Sequence, residues 1–489
     1  MNELVKTYFA GEWRHGSGPV YATHYPADGT EVAQLHACTG KDVDAAVTFA
    51  EQARNRPAWA NLKPHERASL LYKIAQGIRA RAEELAQLQR LDNGKPINET
   101  RGLVASAAGT FQYFAAACET LEDVVTPSRG DFLTLSLQQP LGVVAAITPW
   151  NSPIASESQK IAPALAAGCA IVVKPAEITP RMAIELAKII EAAGVPPGIV
   201  SVLPGKGSII GEALVKHPLI MRVAFTGGTR VGMGIARLAA EKLMPVSLEL
   251  GGKSPTIVFD DADIDHAIAG VLFGIFSSSG ESCIAGSRCF VHASIYADFK
   301  TKLLERTAKL RVGDPSVEST QMGPLISQAH RASVARFVQM GINDGGTVLC
   351  GGKALVGEAY ANGSYYLPTI IEGLSNSAAM CQEEIFGPVL ALLPFTDEQD
   401  LIRQCNHNTY GLACGLWTKD YKKALRLGKA LHTGTVWINT YKVFSISTPF
   451  GGMKMSGTGR EKGRMSILEY TTQKSFYWGL NETPLMWAN

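Results

Sequence analysis

Leu141-Gly142-Val143-Val144-Ala145-Ala146-Ile147-Thr148-Pro149-Trp150-Asn151 marks a change of pattern in the chain. Val143 to Thr148 is an apolar run of strand length that stops at a Pro-Trp-Asn turn. A short continuous apolar run bounded by a turn fits a strand buried on both faces. Ala170 to Val173 repeats the device and ends at Lys174-Pro175-Ala176-Glu177. Thr179 and Pro180 then open a helix with the apolar face Ala183, Leu186, Ala187 and Ile190, closed by Gly194 and Pro196. Val200 to Leu203 is a third strand, ending at Pro204-Gly205. Arg222 to Phe225 is a fourth, ending at Thr226-Gly227-Gly228-Thr229, and Pro245 to Leu250 is a fifth. Strands alternating with helices imply an α/β fold, a parallel sheet with helices on both faces. Such sheets take ligands beyond the carboxyl ends of their strands. The Asn151, Lys174, Gly205, Gly227 and Glu249 segments all fall there.

On the N-terminal side the pattern is helical. Val43, Ala46, Val47, Ala50 and Ala53 recur at helical spacing after a cap at Thr39, and Leu70, Leu71, Ile74 and Ile78 mark a second run. Asp92-Asn93-Gly94-Lys95-Pro96 is a turn. Phe132-Leu133-Thr134-Leu135-Ser136-Leu137 alternates apolar and polar residues, as a strand with one exposed face does, and is a candidate oligomer contact. On the C-terminal side, from Gly252 to Pro449, strands and helices mix again in a second α/β unit.

A chain of 489 residues exceeds one compact core, and two or three domains are expected. With 46% hydrophobic and 18% charged residues and a net charge of +2, neither a nucleic-acid surface nor a membrane-surface role is indicated. Met1-Asn2-Glu3-Leu4-Val5-Lys6 has no apolar core of a secretory signal, and the run from Ile161 to Val173 is too short for a bilayer. Nine cysteines without any C-x-x-C pair argue against a metal site and fit a reducing cytoplasm.

Two residues carry the chemistry. Cys283 lies in Gly280-Glu281-Ser282-Cys283-Ile284-Ala285-Gly286-Ser287-Arg288, and Glu249 in Leu248-Glu249-Leu250-Gly251-Gly252-Lys253. A thiol attacks an aldehyde carbon, and a carboxylate that activates water hydrolyses the resulting thioester. Gly205-Lys206-Gly207-Ser208-Ile209-Ile210-Gly211 is one residue too long for the dinucleotide fingerprint, and Gly227-Gly228-Thr229-Arg230-Val231-Gly232 lacks its spacing. Either loop alone is an ordinary turn; two of them after adjacent strands point to a nucleotide. Lys174 and Glu177 are either a solvated loop or contacts to an adenosine ribose, where a carboxylate disfavours a 2′-phosphate and so favours NAD over NADP. Asn151 is a turn former or an amide donor to a developing oxyanion.

In seven segments the chain resembles the aldehyde dehydrogenase family nearly end to end: Pro149-Trp150-Asn151, Lys174 to Glu177, Phe225 to Thr229, Leu248 to Lys253, Gly280 to Arg288, Glu384-Ile385-Phe386-Gly387-Pro388, and Pro449-Phe450-Gly451-Gly452. The resemblance implies a cofactor-binding domain from residues 1–120 and 141–251 and a catalytic domain from 252–450. It also implies a small β element from 121–140 and 465–489 that builds a homodimer or homotetramer. It makes Cys283 the nucleophile, Glu249 the base, Asn151 the oxyanion donor and Lys160 a support for the proton relay. It assigns NAD to Thr148, Pro149, Trp150, Lys174, Glu177, Gly207, Gly211, Phe225, Thr226, Gly227, Gly228, Val231, Leu250, Glu384 and Phe386. The implied reaction is oxidation of an aldehyde to the acid through a thiohemiacetal and a thioester on Cys283. The intact Glu249 argues against a coenzyme-A-acylating branch.

Glu281 stands where the family often has Gln; it either raises the thiol pKa by like-charge repulsion or points away. Gly228 stands where Ser is common. Ser152, Ser156, Gln159 and Ser282, with Phe444 and Phe450, are expected around the aldehyde, and Lys442 either joins them or faces water. Small and polar side chains there suggest a semialdehyde or another polar-tailed substrate, with an aromatic aldehyde as the alternative. Two further readings stand against the whole: a nucleotide-independent cysteine esterase, with His292 near the nucleophile in sequence, and a non-catalytic descendant.

Overall fold

The computed structural model describes residues 4–482 and 487. The first three residues of the N-terminal reading, and residues 483–486 and 488–489 of the expected C-terminal element, lie outside the described residues. After two short strand pairs, Thr7–Phe9 with Glu12–Arg14 and Val20–His24 with Glu31–His36, come the four long N-terminal helices: α1 (Gly40–Arg54), α2 (Pro64–Ala80), α3 (Ala82–Asn93) and α4 (Ile97–Glu119). At the start of α1 the Thr39 N–H donates to Asp42 Oδ2 at 2.7 Å, and Val43, Ala46, Val47, Ala50 and Ala53 are buried as their spacing predicts. Gly94, at φ 72°, ends α3 in the left-handed region, which makes the expected turn.

Strands β1 (Val124–Thr126) and β2 (Phe132–Pro140) follow. Then come β3 (Val143–Ile147), α5 (Pro153–Ala167), β4 (Ala170–Lys174), α6 (Arg181–Ala192), β5 (Val200–Val202), β6 (Ile220–Thr226), α7 (Thr229–Ala240) and β7 (Val246–Glu249). The second unit holds β8 (Pro255–Val258), α8 (Ile264–Phe276), β9 (Arg288–His292), β10 (Thr347–Cys350), β11 (Thr369–Glu372), β12 (Val389–Phe395), β13 (Ala413–Trp417) and β14 (Thr435–Ile438). Two late strands, β15 (Gly457–Thr458) and β16 (Thr471–Gly479), return to earlier parts of the chain.

The first sheet has the order β15-β7-β6-β3-β4-β5, parallel except for β15. One core joins it to the N-terminal helices. The order corrects one expectation. The two Gly-rich turns follow β5 and β6, which are consecutive in sequence but separated in the sheet by β4 and β3. The chain crosses back over the sheet between them, so the turns flank the site rather than sit side by side.

The second sheet has the order β10-β11-β12-β9-β8-β13-β14, parallel except for the β10–β11 pair. Separate apolar clusters, around Ile275 and Leu392 and around Ile257 and Leu416, pack with it. A third sheet, β16-β2-β1, pairs Pro140 to Phe132 with Thr471 to Gly479. Its alternation is less clean than the sequence predicts. Thr134 is the buried residue, its hydroxyl donating to Thr126 O at 2.7 Å, whereas Leu133, Leu135 and Leu137 stay half-buried. No described helix is long and apolar enough to cross a membrane.

Candidate active site

In the first sheet the chain leaves β3 toward β4 and later reaches β6 on the other side. A strand order that reverses there opens a crevice outside the carboxyl ends of β3 and β6. Thr148 to Asn151 follow β3 and Thr226 to Gly228 follow β6, so both segments edge that crevice. The second unit brings the Cys283 loop to the same place. Cys283, Glu249, Asn151 and Thr226 line one cavity of about 420 Å³.

The Cys283 loop is held in an uncommon shape. Ser278 (φ 58°) and Ser279 (φ 54°) both adopt left-handed backbone just before Gly280 (φ 73°). Such backbone costs about 1–3 kcal/mol per non-glycine residue and persists only where neighbours enforce it. The neighbours are present. Ser278 N–H and Oγ donate to the Glu99 carboxylate at 2.7 and 2.8 Å, and Ser279 Oγ donates to Gly323 O at 2.9 Å. A Cβ on Gly280 would collide with the Gly387 backbone. On the other side of the cysteine, Tyr441 OH donates to Ile284 O at 2.9 Å. Of the nine cysteines, all unpaired, only Cys283 and Cys350 are partly exposed.

Burial, then the Glu384 and Glu249 carboxyls, push the Cys283 thiol up to about 12, with Lys442 acting the other way. The free enzyme therefore holds a protonated thiol at neutral pH. Alkylation by iodoacetamide, which needs the thiolate, is expected to accelerate about tenfold per pH unit from 7 to 9. Mass spectrometry of the Cys283 peptide checks this; a rate already level at pH 7.5 would contradict the buried, unassisted thiol.

Glu281, two residues before the cysteine, turns away. Its Oε1 accepts the Ile326 N–H at 2.7 Å, and burial pushes its carboxyl up to about 8. Of the two readings of this residue, pointing away is the one the geometry takes. Asn151 Nδ2 donates to Glu281 O at 3.1 Å, which places its amide against the cysteine loop.

Glu249 ends β7. Its side chain is buried and neither carboxyl oxygen has a hydrogen-bond partner among the described residues. Burial and the Glu461 carboxyl hold it well above the usual range. Strand β15 pairs Gly457 with Glu249, which carries Glu461 to the same place. Lys160, on α5, donates to Thr226 Oγ1 at 2.7 Å and to Glu461, and so stands behind the cavity rather than in it. The glycines after Glu249 are required by close approach: a Cβ on Gly251 would meet the Glu384 carboxylate, and one on Gly252 the Cys283 carbonyl.

The cleft beside the cavity has the features of a nucleotide cradle. Gly207 and Gly211 bound a single π-helical turn after β5, and a Cβ on either would lie 3.9 Å from the Lys174 side chain. Gly228 caps α7 with open space where its Cβ would be, and its helix N-terminus favours a phosphate. Ile209, in the segment after β5, and Val231, in the first turn of α7, are exposed at 50% and 54%. Glu384 Oε1 accepts the Gly252 N–H at 3.0 Å. Trp150 meets Phe386 edge to face at 5.2 Å, and His330 Nε2 donates to Phe386 O at 2.7 Å. Phe386 itself is left-handed (φ 56°). Phe225 departs from the expectation: its ring is buried in the first core against Gly227, so it shapes the loop instead of facing the cleft. His292, the base needed by a cysteine esterase, hydrogen-bonds Ser294 and packs on Phe395 at the far end of β9.

Every expected substrate residue, Ser152, Ser156, Gln159, Ser282, Phe444 and Phe450, lines the cavity, and Lys442 lines it too. Ser152 and Ser156 hydroxyls share a hydrogen bond of 3.1 Å, and the Phe444 and Phe450 rings meet edge to face at 5.4 Å. Sequence reasoning missed Lys95, Glu99, Leu103, Phe273, Glu461 and Lys462. For Glu99 and Leu103 a signal existed, since they share one face of α4 at helical spacing.

The aldehyde dehydrogenase family model matches residues 13–476. The betaine aldehyde dehydrogenase of Cereibacter sphaeroides is 42% identical over 459 residues, 93% of each chain. The NAD+ complex of an aldehyde dehydrogenase from Bacillus cereus superposes with a TM-score of 0.96 at 38% identity, covering 98% of this chain and 97% of that one. A betaine aldehyde dehydrogenase mutant from Staphylococcus aureus, also solved with NAD+, gives 0.96 at 34% identity over 99% and 97%. With fold, site geometry and sequence in agreement, the chain belongs to the aldehyde dehydrogenase family.

Proposed function

We propose that the protein oxidises an aldehyde to its carboxylic acid with NAD, using Cys283 as nucleophile and Glu249 as the base that activates water. The observation that carries this reading is the single cavity in which Cys283, Glu249 and Asn151 converge. When bound, NAD accepts a hydride. Trp150, Glu384 and Phe386 hold its nicotinamide end, and Lys174, Glu177, Gly207, Gly211, Gly228 and Val231 its adenosine and phosphates. Cys283 gives its thiol proton to water admitted by the cavity, and the thiolate sulfur then attacks the carbonyl carbon. Asn151 Nδ2, freed from Glu281 O, stabilises the oxyanion, as one such donor does by roughly 3–4 kcal/mol. Glu249, with no partner competing for either oxygen, takes a proton from water to release the acid, and Lys160 with Glu461 relays that proton. The unit around the first sheet is the cofactor domain and the second sheet the catalytic one. The β1-β2-β16 sheet, with Val125, Tyr477 and Trp478 exposed, supports a homodimer or homotetramer.

The cavity's serines, Gln159 and Lys442 favour an aldehyde with a polar or carboxylate tail, such as a semialdehyde. An aromatic aldehyde is the second reading, favoured by Phe444 and Phe450. The test is NADH formation with a mixed aldehyde panel and identification of the acid. NAD is expected to exceed NADP at least about tenfold in kcat/KM, because Glu177 repels a 2′-phosphate; equal values would remove that role for Glu177.

A further inference from the structure

Charged side chains around the cavity pair unequally. Lys95 Nζ lies 4.0 Å from Glu99, and Lys160 contacts Glu461. Burial raises Glu281 to about 8, so its carboxyl is mostly neutral at pH 7, and burial with the Glu461 carboxyl holds Glu249 well above its ordinary value. Two ammonium groups remain. Lys442 Nζ has only a hydroxyl partner, Ser277 Oγ at 2.8 Å. Lys462, 7% exposed, makes no hydrogen bond or ion pair with any described residue. Burial lowers each to about 8, which leaves both mostly charged at neutral pH. The nearest carboxylates, Glu99 for Lys442 and Glu461 for Lys462, are already shared with Lys95 and Lys160, and an anion that enters beside such a buried cation relieves its cost.

The second observation is where Lys462 sits. Its Nζ lies 3.6 Å from the centroid of the Phe444 ring and 5.3 Å from that of Phe450. A pair of aromatic faces is the place where a quaternary ammonium ligand would be held. Here an ammonium of the chain itself already occupies it.

We infer that Lys442 and Lys462 set the specificity of the tunnel: it takes aldehydes that bear a terminal carboxylate and rejects those that bear a quaternary ammonium. The inference rests on the aldehyde dehydrogenase reading of this site. It distinguishes the chain from its betaine aldehyde dehydrogenase relative, despite 42% identity. The carboxylate lies at one end of the substrate and the carbonyl at Cys283. Both lysines also act on the Cys283 thiol or feel its charge, so their effect on the bound tail is read from the ratio between substrates and not from the rate with any one of them.

Succinic semialdehyde, butanal and betaine aldehyde supply the anionic, neutral and cationic probes. The expected order of kcat/KM is succinic semialdehyde above butanal by about tenfold or more, and betaine aldehyde below both. In the double variant Lys442→Met/Lys462→Met the ratio of succinic semialdehyde to butanal is expected to fall at least about tenfold, mainly through KM for the semialdehyde. The double Lys→Arg variant, which keeps both charges, restores the ratio. If the methionine variant does not fold, the order in the unaltered enzyme still decides. Butanal equal to succinic semialdehyde, or betaine aldehyde above either, overturns the inference. So does an unchanged ratio in a folded methionine variant. Absence of NADH with every aldehyde would instead overturn the reading of the site on which the inference stands.

Discussion

Cys283→Ala is expected to lose aldehyde oxidation by at least about 10⁴-fold while NAD binding, followed by calorimetric titration, survives. The size follows from the nature of the step. Without the sulfur no covalent adduct forms, and a neutral aldehyde is a poor hydride donor. Losing a nucleophile removes the function of every group that acts with it, so the loss is that of the whole set. Folding is not expected to suffer, because Cys283 is partly exposed and its loop is fixed by Ser278, Ser279 and Tyr441 instead. Retained oxidation in this variant would transfer the role to another thiol, and only Cys350, at the end of an edge strand, is comparably exposed.

Glu249→Gln separates the two halves of the reaction. Acylation does not need this carboxylate, so a burst of about one NADH per site is expected, followed by steady turnover slower by roughly 10²–10⁴-fold. The amide replaces the carboxyl at nearly equal volume where no hydrogen bond is broken. Acidity gives a second reading of the same group. Burial raises its pKa, so the base form is lost as pH falls through that raised value. Turnover of the unaltered enzyme should therefore decline as acidification passes through that raised value, and the glutamine variant should lose that dependence. Undiminished steady turnover in the variant would end the assignment.

The first sheet was legible because its strands are apolar runs that end in turns, and burial of Val143 to Ile147 and Ala170 to Lys174 on both faces agrees. The cysteine loop and the glycines after Glu249 were legible as a family pattern. Their physical reason, close approach to Glu384 and to the Cys283 carbonyl, belongs to the fold. What stayed hidden depends on contacts between distant positions. Lys160 and Glu461 are 301 residues apart, and no local pattern joins them. Lys462 reads in sequence as one more surface lysine until two phenylalanines close around it. The orientation of Glu281 is decided by the backbone N–H of Ile326, and the Lys442 side chain by Ser277; neither partner is a sequence neighbour. The adjacency of the two glycine turns failed for a related reason, since sequence order does not give sheet order.

Strand β15 has a consequence for biosynthesis. Ser456 donates to Gly251 O across 205 positions, and Gly457 lies beside Glu249. A nascent chain emerging from the ribosome can assemble its first sheet early, since domains fold as units during synthesis. Its edge at β7 stays unfilled until Gly457 and Thr458 have been made and released. A translation product that stops before Gly457 lacks both the strand beside Glu249 and the Glu461 carboxylate that Lys160 contacts, so it carries the nucleophile without the relay.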